Sequence, residues 1–324
     1  AATLSNPIAT DTYGYAPSAW EDRLTNYNST TANIQYDEIG NPTTYRSASL
    51  TWSGRQLTSY TKNGKIISFN YDANGMRYSK TVKVNDVETE TYNYIYSDTK
   101  LIAVTFTKNN EINTARFIYD SNDELRGFIL NDNQTYLYVK NLQGDIISIV
   151  DENGTILLNY SYDSWGDVDY IIPSGSNLLL AAMLATLNPF TYRSYCYDYD
   201  IGLYYLQSRY YDPETCRFIN ADSTDYLGVS GTLLGYNLFA YCENEPVGKI
   251  DATGTWAYDV HCGYYTDNNR AIYLYDFEDG KLKRFYSINT KVKNRDKQIN
   301  VRNFTDTELG KVYIPYRWHD RSKC

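Results

Sequence analysis

The chain has 324 residues, 21% of them charged, a formal net charge of −9, five cysteines and two histidines. That length holds one large or two modest domains, and its strand patterning excludes disorder over most of it. The cysteines (Cys196, Cys216, Cys242, Cys262, Cys324) are odd in number and form no C-x-x-C pair, so neither a disulfide framework nor a structural zinc site is indicated.

Tyrosine dominates from the start: 36, against 10 Phe and 2 Met. A ring that is apolar along its body and wet at its hydroxyl suits a pleated surface, which predicts a thin or hollow β-structure with little dry core. Over 1–175 the motif Tyr-Asp-x-x-Gly begins at Tyr36, Tyr71 and Tyr162, and a degenerate copy at Tyr119-Asp120 has Asp123 for the glycine. Tyrosines at 92, 94, 96, 136 and 138 fill the gaps, giving a repeat of about 20 residues, one hairpin plus a link. In each copy the Asp can accept from turn amides and the Gly can take positive φ. Tyr92, Tyr94 and Tyr96 share one face of a strand, and Tyr195, Tyr197 and Tyr199 repeat that spacing. Asn63-Gly64, Asn74-Gly75 and Asn153-Gly154 are further turn signals.

Over 176–254 the first element is a helix, Ser176 to Leu187, rich in Ala and Leu and stopped by Asn188-Pro189. Its apolar stretch is too short to cross a bilayer, so no transmembrane segment is expected. The chain opens on Ala1 with neither a Met nor a signal-like run, which is read as the C-terminal piece of a longer exported protein, secreted or cell-surface associated.

The run Arg209-Tyr-Tyr-Asp-Pro-Glu-Thr-Cys-Arg-Phe218, then Asp222, then Asn244-Glu-Pro-Val-Gly-Lys-Ile-Asp251-Ala-Thr-Gly254, resembles the core signature of Rhs/YD-repeat proteins. That resemblance, which spans 30–254, implies a hollow shell of antiparallel β-hairpins closed by a core plug and often ending in a polymorphic toxin. It also implies an aspartyl autoprotease, with Asp222 and Asp251 as the pair and the cut near Thr255–Trp256. Two nearby carboxyls supply the ionised group that activates water and the protonated group that donates to the leaving nitrogen. Arg209 would hold one of them charged and oriented. The sequence departs from the family pattern at Cys216 (Gly), at Ser223 and Ala252 (both Pro) and at Thr255 (Leu). The other reading of both aspartates is as turn caps in a structural plug.

Residues 255–324 lose the repeat and read as short strands. They hold 13 basic and 9 acidic residues, net +4, while the other 254 residues hold 17 and 30, net −13. Both histidines, His261 and His319, lie here beside Lys281, Lys283, Arg284, Lys291, Lys293, Arg295 and Lys297. Such a set can form a metal-independent ribonuclease, one His taking the 2′-hydroxyl proton and the other protonating the leaving oxygen. Tyr264, Tyr265, Tyr286 and Trp318 would stack on bases. Surface histidines on a solvated basic face are the plainer alternative.

The reading is therefore mainly β, in three parts: a hairpin spiral over 1–175, a core plug over 176–254, and a small β-rich or α+β domain over 255–324. Its function would be encapsulation and delivery of a C-terminal toxin in bacterial competition. Its partners would be that cargo, an immunity protein and a nucleic-acid target, with neither cofactor nor metal. The rival is a non-enzymatic surface protein that adheres to cell wall or glycans and carries an inert tail.

Overall fold

The structure is a computed structural model describing residues 11–15, 20–28, 34–173, 175, 177–228, 233–255 and 257. Beyond 257 it describes the backbone of strands Tyr258–Asp259, Tyr265–Thr266, Ala271–Glu278, Lys281–Asn289, Ile299–Arg302 and Val312–Ile314. The chain forms two units, Ala1–Asn244 with Ala252–Thr255, and Glu245–Asp251 with Trp256–Cys324.

The first unit is built on one 14-stranded sheet running from Gln35–Tyr36 to Val168–Ile171, with strands paired in strict sequence order. Every pairing is antiparallel, so successive turns alternate between the two ends of the sheet. The repeat is thus a hairpin meander, as the spacing predicts.

The repeated turn works as its residues dictate. Asp72 Oδ1 accepts from the amides of Asn74 and Met76, both at 2.9 Å, and Gly75 takes φ 83°. The same acceptor pattern recurs at Asp37, Asp120 and Asp163. Asp123 stands in for the glycine at φ 64°. Two further copies escape the sequence motif, with Asn141 and Asp151 as acceptors and Gly144 and Gly154 at φ 84° and 81°. Lys140 and Val150 precede them instead of tyrosine. Asn74-Gly75 and Asn153-Gly154 are therefore the closing halves of these longer turns. Asn63-Gly64 is a two-residue hairpin turn with both residues at positive φ, joining Gln56–Lys62 to Lys65–Tyr71.

The motif tyrosines reach back across the preceding hairpin. The hydroxyls of Tyr36, Tyr71, Tyr119 and Tyr162 donate to the backbone carbonyls of Leu24, Leu57, Leu101 and Ile146 at 3.1, 2.9, 2.7 and 2.6 Å. All four acceptor residues are buried. Trp52 Nε1 does the same to Pro42 at 2.7 Å. Each ring fills the sheet face while its hydroxyl satisfies a backbone group there.

One face of the sheet buries Leu57, Ile67, Val82, Phe106, Phe128 and Ile149. Against it pack Leu184 and Leu187 of the helix Leu178–Leu187, then Phe190, Ile201, Leu203 and Ile219. Each such side chain contributes about 1.5–3 kcal/mol by leaving water. The expectation of little dry core needs correcting, because the hairpins themselves bury aliphatic side chains on this face, and the helix and the segment after it cover them. Residues 188–244 with 252–255, called the cap below, carry a second sheet, Cys196–Asp198, Leu203–Leu206, Arg209–Asp212 and Arg217–Phe218.

The second unit pairs Lys249–Ile250 with Tyr258–Asp259 and holds a three-stranded sheet whose central strand is Ala271–Glu278. Ile299–Arg302 pairs with Val312–Ile314.

Candidate functional site: the cap and the Arg209 cluster

The cap is tied to turns at one end of the large sheet. Tyr192, Tyr204 and Tyr211 donate to the carbonyls of Ser164, Gly166 and Trp165 in the 163–166 turn. Arg193 and Ser194 donate to Gln143 and Gly144 in the 141–144 turn. Gln207 reaches Thr99, Tyr205 reaches Gly75, and Arg55 donates to Ala221. The Ala221 amide donates to Gly40. Two repeat glycines serve a second purpose here. A β-carbon on Gly40 would fall 2.7 Å from Ala221 Cβ, and one on Gly166 would fall 2.6 Å from the Tyr192 ring.

Two ionic knots, one fully buried and one partly exposed at Arg46, fasten the cap to the hairpins. Asp198, from the first cap strand, receives Arg77 at 2.9 Å and Lys80 at 2.9 Å, and all three side chains are nearly inaccessible. Lys80 also pairs with Asp200 at 2.7 Å. The Arg77 guanidinium lies over the rings of Phe69, Tyr94 and Tyr205. Burial by itself would lower the Lys80 pKa, but Asp198, Tyr94 and Asp200 outweigh it and hold the pKa well above its ordinary value. In the second knot Asp212, of the Arg-Tyr-Tyr-Asp signature, accepts from the Tyr45 hydroxyl at 2.6 Å and pairs with Arg46 at 3.3 Å. Burial raises the Asp212 pKa against the opposing pull of Arg46 and Tyr45.

Arg209 organises the remaining cluster. Its strand follows the two-residue turn Gln207-Ser208, and its guanidinium lies 3.5 Å from the Phe218 ring centre. Nη2 meets Asp222 Oδ2 at 3.0 Å, Nη1 donates to Leu238 O at 3.1 Å, and Nε donates to Gly254 O. Asp222 is 8% exposed, and its other carboxylate oxygen accepts from the Ser223 amide at 2.7 Å. Ser208 Oγ lies 2.7 Å from Thr253 O and 2.8 Å from Gly254 O, and the Ser208 amide donates to Thr253 O at 3.3 Å.

The structure thus brings Arg209 to Asp222 and to the end of the closing motif. Asp251 follows strand Lys249–Ile250 in the second unit and is 2% exposed. His261 and His319 lie outside the described residues. Ser208, Asp198, Arg77 and Lys80 escaped the sequence reading; each is a single polar residue whose partner lies 45 to 121 residues away. Cys216, where the family has glycine, adopts φ 60°, the left-handed conformation that glycine takes without strain. No group of His, Cys, Asp and Glu suited to a metal occurs among the described residues. No helix among them is long and apolar enough to cross a membrane.

The Teneurin YD-shell family profile matches residues 11–247. The tRNA3(Ser)-specific nuclease WapA of Bacillus spizizenii is 33% identical over 232 residues, 70% of this chain and 9% of that protein. The tRNA nuclease WapA of Bacillus subtilis strain 168 is 32% identical over the same length, with the same coverage. Among solved structures, the Photorhabdus luminescens Tc holotoxin pore superposes with a TM-score of 0.56 at 20% identity, over 75% of this chain and 13% of that one. The chain therefore spans about a tenth of the length of these proteins.

Proposed function

The chain belongs to the Teneurin YD-shell family, and from that premise we propose that it is the closing end of a shell that carries a toxin. Residues 1–175 are wall, 176–254 are the plug, and 255–324 are the cargo, exported with the shell and released in competition between bacteria. The plug frees the cargo by cutting the chain beside Thr255. A water molecule loses a proton to one carboxylate and attacks the peptide carbon; the other carboxyl protonates the departing nitrogen, and the C–N bond breaks. Asp222 and Asp251 are the pair.

The observation that carries this reading is Arg209, whose one guanidinium pairs with the Asp222 carboxylate and grips the Gly254 carbonyl. One guanidinium thereby joins an acidic side chain to the last residues of the closing motif. Ala252–Thr255 pack with the first unit, and the second resumes at Trp256. The names of the Bacillus relatives favour a nucleic-acid target for the cargo, as do the two histidines and the +4 charge of the tail.

Purified full-length chain should resolve into two bands, the larger ending at 255, while Asp222→Asn and Asp251→Asn stay whole. An intact wild type across a range of pH overturns self-cleavage and leaves the plug structural. The released tail should degrade RNA without added metal, and His261→Ala and His319→Ala should each abolish this. An inert tail on a chain that binds cell wall would favour the adhesive alternative.

A further inference from the structure

The cap holds residues 253–254 by their main chain. Two donors, Arg209 Nε and Ser208 Oγ, converge on the Gly254 carbonyl oxygen. Ser208 Oγ also lies 2.7 Å from Thr253 O, so its single hydroxyl proton serves both carbonyls, while its amide donates to Leu206 O at 2.7 Å and reaches Thr253 O at 3.3 Å. Gly254 has φ 73°, and a β-carbon there would lie 2.7 Å from Leu206 O and 2.8 Å from Ser208 Oγ. The site therefore accepts glycine at 254 for two independent reasons, backbone conformation and space.

We infer that Ser208 is a positioning residue which, with Arg209, sets the register of the chain at the cleavage point, and that Gly254 is the specificity-determining residue. The inference rests on the self-cleavage reading and adds what selects the bond. Consecutive Cα atoms lie about 3.8 Å apart across a trans peptide bond, so a slip of one residue moves the target carbonyl by far more than the reaction tolerates. A displacement of about 1 Å already costs on the order of a hundredfold in rate. Because the grip falls on the carbonyls of 253 and 254 and on the missing side chain of 254, the cut is counted from Gly254. Thr255 can then replace the family's leucine without loss of register.

The test uses the full-length chain as wild type, Ser208→Ala, Ser208→Thr and Gly254→Ala. Hydrogen exchange in peptides covering 252–257 is expected to accelerate on the order of tenfold in Ser208→Ala, the loss of about one hydrogen bond. The strands Leu203–Leu206 and Arg209–Asp212 should keep their rates, which separates loosening of the clamp from unfolding. Ser208→Thr keeps the hydroxyl and should restore protection. Unchanged exchange in Ser208→Ala overturns the inference whether or not the chain cuts itself. Where the wild type cleaves, the mass of its larger fragment should place a single end at 255. Ser208→Ala and Gly254→Ala should cleave about tenfold or more slowly, with ends spread over neighbouring residues. A single unshifted end at the wild-type rate in both variants overturns it. A wild type that never cleaves removes the self-cleavage reading, and the exchange result then stands alone as the measure of the clamp.

Discussion

The hairpin wall and the cap are held by opposite strategies. In the wall each strand pairs with its sequence neighbours, and the polar contacts that shape it stay within one hairpin, from two to four residues between Asp72 and the amides of Asn74 and Met76 to 14 between Tyr71 and Leu57. Such contacts recur, so losing one leaves the others in place. The cap is held by contacts that do not recur, some of them to turns 28 to 50 residues away and others across more than a hundred residues, such as Arg77 and Lys80 to Asp198. The lesson is that a repeat architecture tolerates local damage where it repeats and is brittle where it ends.

The sharpest way to break that comparison is at Asp198. Asp198→Ala leaves two buried cations facing each other with their shared partner gone, and should cost about 3–5 kcal/mol of unfolding free energy in a urea titration. A cost below about 1 kcal/mol would place the cap on the same additive footing as the wall.

The repeat glycines offer a matched pair. Gly154 has φ 81° and nothing within 4 Å of an added β-carbon, so Gly154→Ala should cost about 1 kcal/mol from backbone strain alone. Gly166→Ala carries similar strain plus the Tyr192 ring at 2.6 Å, and should cost about 2–3 kcal/mol or more. Equal losses in thermal melts would mean that the cap yields where it touches the turns.

Within the wall, Tyr36→Phe, Tyr119→Phe and Tyr162→Phe each remove one hydroxyl from a backbone carbonyl. Each should cost about 1 kcal/mol, and the three should add within a few tenths, since they lie in separate hairpins. Strong non-additivity in the triple variant would show that the wall is not a sum of neighbours.

The smallest effect is a difference of sign with pH. The Arg126 hydrogen bond holds Asp120 below its ordinary pKa of 3.8, and the Thr155 amide does the same for Asp151. Their stabilisation is present above 3.8 and is lost as the pH falls through the folded values. Asp212 is shifted the other way by burial, so its contribution is present below 3.8 and is lost as the pH rises through its folded value. Carboxyl titrations followed by NMR should find Asp120 and Asp151 protonating below 3.8 and Asp212 above it. A depressed Asp212 would show that Tyr45 and Arg46 outweigh its burial.

What the sequence determined by itself is what acts over a few residues. An acceptor at the first position of a turn and a residue tolerant of positive φ at the fourth make the same structure wherever they occur. The repeats at Tyr36, Tyr71, Tyr119 and Tyr162 were therefore legible, as was the helix expected over Ser176 to Leu187, which the structure places at Leu178–Leu187. The copies at Asn141 and Asp151 were hidden because the motif was keyed to Tyr-Asp: both lack the tyrosine, which the turn does not require, and Asn141 takes the place of the aspartate. Arg209 and Asp222 could be named through the Rhs/YD-repeat resemblance, yet their spacing does not say that they touch. Tertiary structure alone decided that Ser208 meets Gly254 and that Asp198 pairs with both Arg77 and Lys80. Those meetings depend on how fourteen strands bring one end of a sheet to the cap, a sum of many small twists that no short stretch of sequence carries.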